Sequence, residues 1–95
     1  MRITESRITE TCLDGTVNVE KRLDRPMDRK FIYHLAELGD LEYFSEFARP
    51  FFRITRSGSF VIKGVEGAET FQVFFIRSAP DHEAEIETRI TRYPA

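Results

Sequence analysis

Phe51-Phe52-Arg53-Ile54-Thr55-Arg56-Ser57-Gly58-Ser59-Phe60-Val61-Ile62-Lys63 sets two β-rich runs around a Ser-Gly-Ser stretch, and the spacing predicts a hairpin. Its loop length decides how the sheet is built. A two-residue Ser57-Gly58 turn places Ile54 opposite Val61 and scatters the apolar residues over both faces. A three-residue loop sets Ile54 against Ile62 and gathers Phe52, Ile54, Phe60 and Ile62 on one face, so the three-residue register is preferred. Arg53 then faces Lys63 on the opposite side of the sheet.

Downstream, Gly64 to Ala68 reads as a turn with two glycines, followed by a strand over Thr70 to Arg77. The run Phe71-Gln72-Val73-Phe74-Phe75-Ile76 has so little polar alternation that cover on both faces is expected. Ser78 to Tyr93 fits either element. Alternation favours a strand, but Pro80 in a first turn, early acids, late arginines, and Ile86, Ile90 and Tyr93 at helical spacing favour a helix, with Ser78 near its start and a Glu85–Arg89 pair along it.

Upstream, Arg25 to Leu38 has Met27, Phe31, Leu35 and Leu38 on one helical stripe, with Asp24 as cap, Pro26 in the first turn and Gly39 past the end. Asp40 to Pro50 is an aromatic connector in which Leu41 to Phe44 is left open as a short edge strand. Arg7 to Leu13 and Thr16 to Arg22 flank Asp14-Gly15, which suits a two-residue turn. That register pairs Cys12 with Val17 and puts Cys12 in the core.

The element order is therefore ββαβββα. It implies an α+β, two-layer sandwich with one mostly antiparallel sheet of about five strands and two helices on one face. Profilin-like and roadblock-like domains share this order, and ferredoxin-like domains are a close rearrangement. The likeness is of architecture only and carries no function.

Ninety-five residues, 41% of them hydrophobic, suit one folded domain. A single cysteine allows no internal disulfide, and the first residues lack a signal-peptide apolar run, so a cytoplasmic location without membrane insertion is expected. His34 and His82 have no metal-ligand spacing with each other or with Cys12. Gly64-Val65-Glu66-Gly67 lacks the lysine and helix of a phosphate loop. Asp81, Glu83, Glu85 and Glu87 read as a solvated face. No catalytic, cofactor-binding or metal-binding residue is assigned.

The net charge of −2 hides an asymmetry: residues 48–65 contain Arg49, Arg53, Arg56 and Lys63 and no acid. Tyr43, Phe44, Phe47, Phe51 and Phe52 crowd its start. Arg53 opposite Lys63 requires a neighbouring acid, a bound anion or splayed side chains. Arg49, Phe51, Arg53, Arg56 and Lys63 are accordingly the candidate anion or partner-binding residues. Val61, Phe74 and Ile76 extend the same face as a candidate interface.

The favoured reading is a non-catalytic binding or assembly domain, acting as a homo-oligomer or on a protein partner. The alternatives are a regulatory module for an anionic metabolite and a weak nucleic-acid binder. The pI of about 5.7 disfavours the last.

Overall fold

The computed structural model describes residues 1–76 and 80–94. The order is β1 (Ile3–Thr11), β2 (Val17–Leu23), α1 (Arg29–Leu35), a 3-10 turn (Ala36–Leu38), β3 (Asp40–Phe44), β4 (Phe51–Arg56), β5 (Phe60–Val65), β6 (Thr70–Phe75) and α2 (Pro80–Thr91). All six strands form one antiparallel sheet in the order β1-β2-β6-β5-β4-β3. The α+β class is as expected; the strand count and the ββαβββα order are corrected by β3.

The β4–β5 hairpin adopts the three-residue register, with Ile54 opposite Ile62 and Arg53 opposite Lys63. Gly58 takes φ +75°, a left-handed conformation that suits glycine, while Ser59 N–H donates to Arg56 O at 3.0 Å. The β1–β2 hairpin departs from its expected register. Thr11, not Cys12, pairs with Val17, and the connection runs through Leu13-Asp14-Gly15 with Gly15 at φ +92°. The Asp14 carboxylate accepts from Thr16 N–H (3.0 Å) and Thr16 Oγ1–H (2.8 Å), which stabilises the longer loop and holds the Asp14 pKa below its ordinary value. Cys12 is consequently displaced from the core, and its thiol lies 3.3 Å from a Glu10 carboxylate oxygen.

Helix α1 also starts later than expected. Asp28, not Asp24, caps it by accepting from Phe31 N–H at 2.8 Å. Residues before it cannot wind into the helix because Met27 exchanges backbone hydrogen bonds with the β5–β6 turn, through Ala68 O and Gly67 N–H. Gly64 belongs to β5 rather than to that turn. A Cβ there would lie 2.8 Å from Phe52 ring carbons, so the missing side chain makes room for the ring on the inner face.

That inner face is the core. Val19, Leu23, Phe52, Ile54, Phe60, Ile62, Phe71, Val73 and Phe75 meet Phe31, Ile32 and Leu35 of α1 and Ile86 and Ile90 of α2, all buried. The terminal element is thus a helix on the same side as α1; the expected Ser78 cap lies outside the described residues. His34 Nε2–H donates to Arg89 O at 2.6 Å and Arg89 Nε–H returns to His34 O at 2.9 Å, so Arg89 ties the helices together instead of pairing with Glu85.

Among the described residues one buried side chain is charged. Lys21 continues the inward alternation of Val17 and Val19 and is fully inaccessible. Its ammonium donates to Ser6 Oγ (3.0 Å), Glu83 Oε1 (3.1 Å) and Glu87 Oε1 (3.2 Å). Glu83 and Glu87 are one helical turn apart, so both reach the same cation. Glu85 pairs with Arg56. The acidic run is therefore largely a set of ion pairs to the sheet, not the freely solvated face its spacing indicated.

Both helices lie on the inner side. The expectation that β6 is covered on both faces is overturned: among the described residues no second layer covers the outer face, where Gln72 and Phe74 remain partly accessible. No helix among the described residues is long and apolar enough to cross a membrane.

Candidate functional site

The registers bring six outward-facing residues into one row across the whole sheet: Arg7, Glu20, Gln72, Lys63, Arg53 and Glu42. The two ends of the row neutralise themselves. Arg7 pairs with Glu20 at 2.8 Å, and Arg53 donates to Glu42 through Nη2 at 2.7 Å and Nε at 2.9 Å. Glu42, supplied by β3, is thus the neighbouring acid of the Arg53–Lys63 pair.

The middle of the row is not neutralised. Lys63 has no carboxylate within 4.0 Å among the described residues, and beside it the buried Gln72 Oε1 has no hydrogen-bond partner. A cation and an orphaned acceptor therefore stand next to each other. The Gln72 oxygen is shielded from solvent, so the exposed Lys63 ammonium is the group that this part of the row presents to an outside partner.

Beside this centre the face sinks into a hollow of about 680 Å³. Phe44, Phe51 and Val65 supply its apolar lining, while Arg49, Arg53, Lys63 and Gln72 supply its polar groups. Phe44 and Phe51 face each other across β3 and β4, with ring centroids 4.5 Å apart and planes 22° from parallel. Phe47 packs against Phe51 at 5.2 Å. The β3 edge that carries Glu42 and Phe44 is braced at Tyr43, whose hydroxyl donates to Glu66. That hydrogen bond, followed by burial, raises the Tyr43 pKa above its ordinary value.

The structure brings Arg49, Phe51, Arg53 and Lys63 together around the hollow. Arg56 is not with them. Its strand position faces inward, its Nε–H donates to Leu38 O at 2.9 Å, it pairs with Glu85, and its guanidinium lies over the Phe60 ring at 5.1 Å. Val61 and Phe74 oppose each other on the outer face, on the far side of the polar row. Ile76 follows β6, half-buried, with its N–H bonded to Ser59 O at 3.0 Å.

Gln72 and Glu42 are the residues that the sequence did not single out. The signal for Glu42 was the inner–outer alternation of Leu41, Glu42, Tyr43 and Phe44. For Gln72 it was a lone amide in an apolar strand. His82 packs edge-on against Phe60, with ring centroids 5.8 Å apart, away from the hollow. Among the described residues, no three His, Cys, Asp or Glu side chains converge as a metal ion requires.

Comparison with known protein families, characterised proteins and solved structures finds no significant match for this chain, so its functional reading rests on its own geometry.

Proposed function

We propose that this chain is a non-catalytic binding domain, with the outer face of its sheet as the working surface and a small molecule as its principal ligand. The observation that carries this reading is the hollow. Its volume of about 680 Å³ falls within the ~300–1,000 Å³ range of small-molecule sites, and it combines an apolar lining with a few convergent polar groups. Both helices being spent on the inner face leaves the hollow open to a ligand.

Amide chemical shifts recorded during a small-molecule screen test this directly. Binders are expected to perturb Phe51, Lys63 and Gln72 together, with little change at Arg56 or in α2. A screen in which no compound moves these amides, on a protein that stays monomeric at high concentration, overturns the reading.

A second reading, self-association through the same face, draws on Val61 and Phe74, which form an apolar pair outside the hollow. It predicts that sedimentation gives a dimer and that Phe74→Glu returns it to a monomer. Nucleic-acid binding has less in its favour, since Glu20, Asp40 and Glu42 share the outer face with the cations. In a reducing cytoplasm Cys12 stays a thiol and takes no part in any of these readings.

A further inference from the structure

From the charge arrangement of the hollow we infer its ligand class: an amphipathic acid, with an apolar body on Phe44, Phe51 and Val65 and an anionic head at Lys63. This inference rests on the outer face being a small-molecule site. It goes further by giving the ligand a negative charge.

The preference for an anion comes from counting partners. Of the three cations lining the hollow, Arg53 already has Glu42 as its partner. Lys63 and Arg49 have no carboxylate within 4.0 Å among the described residues. Phe44, Phe51, Val65, Thr70 and Gln72 of the lining bring no negative charge to answer them. A carboxylate, sulfonate or phosphate held at Lys63 compensates that cation, while an apolar body displaces water from the aromatic wall.

Isothermal titration with three probes tests this: octanoate, octan-1-ol and the fluorescent sulfonate 8-anilinonaphthalene-1-sulfonate. Octanoate is expected to bind more tightly than octan-1-ol and to weaken as salt is raised, whereas octan-1-ol does not respond to salt. Lys63→Gln, an exposed substitution checked for folding by thermal unfolding, is expected to weaken octanoate and the sulfonate about tenfold and leave octan-1-ol unchanged. Equal binding of acid and alcohol, or acid binding indifferent to Lys63→Gln, overturns the inference while leaving the hollow as a binding site. Absence of binding by all three probes overturns the inference; loss of the hollow itself as a site is then decided by the amide-shift screen, which uses chemically broader compounds.

Discussion

Replacing Glu83 and Glu87 together by glutamine is expected to destabilise the domain by about 3 kcal/mol or more, because it leaves a buried ammonium without a countercharge. Lys21 is fully inaccessible, and its three hydrogen-bond partners are these two carboxylates and the Ser6 hydroxyl. Glutamine can still offer an amide oxygen to the lysine, so the loss isolates the charge rather than the contact. For a domain of about 100 residues each kcal/mol moves the melting temperature by about 4–8 °C, and the double variant is therefore easily measured by urea or thermal unfolding.

The same network predicts an asymmetry. Lys21→Met keeps the apolar stem, removes the cation and leaves two carboxylates whose side chains are 43% and 46% exposed, so they regain water. This variant is expected to be close to neutral, since hydrophobic replacement of a buried ion group often is. A double glutamine variant that loses less than about 1 kcal/mol, or a methionine variant that fails to fold, would show that the lysine is not held by charge compensation.

Gly64→Ala is the second substitution with a large expected effect, at about 1–3 kcal/mol of lost stability. Its methyl carbon would stand 2.8 Å from two Phe52 ring carbons and 3.2 Å from Met27 Cε. The ring has nowhere to retreat, because Phe52 is completely buried. Phe52→Ala alone is expected to cost about 3–5 kcal/mol through the cavity it leaves. Combining the two should cost less than their sum by at least about 1 kcal/mol, since the new methyl enters space the ring vacated. Additive losses in denaturant unfolding would sink this account. Gly64 lies at the floor of the hollow, so ligand affinity of Gly64→Ala also reports how far the core and the outer face depend on each other.

What was legible in the sequence follows from how many alternatives each pattern left. Around Ser57-Gly58-Ser59, only one register gathers Phe52, Ile54, Phe60 and Ile62 on one face, and the apolar pattern chose it. Around Asp14-Gly15, both loop lengths fit the local residues, and the choice is made by the Asp14 side chain accepting from Thr16. Asp24 and Asp28 are both credible caps for α1. The deciding fact is that Met27 is engaged by Gly67 and Ala68, about forty positions downstream, which no local window contains. The same distance effect hid Glu83 and Glu87 as partners of Lys21.

For the outer face, the Arg53–Lys63 opposition was readable from register alone. Its resolution was not, because Glu42 sits on a five-residue strand rich in acids, which resembles a loop by composition. Arg56 was grouped with the outer cations by sequence proximity. Its position one step out of phase with Arg53 and Thr55 is what turns it inward, to Leu38 and Glu85.

The strand order carries a consequence for how this chain reaches its native state. β1 with β2, and β3 through β6, are two stretches in which every strand pairs with its sequence neighbour. They join only along β2 and β6, where Arg22 meets Thr70 across a loop of about fifty residues, so the entropic cost of closure falls on that one seam. The meander and the hairpin are then the early-forming units, and the seam is the late one. In pulsed hydrogen exchange during refolding, amides of β4 and β5 should gain protection before those that bond β2 to β6; simultaneous protection would argue for a single diffuse nucleus. Lys21 sits on that seam with its carboxylates on the last helix, so this buried charge is neutralised only when the two ends of the chain have come together.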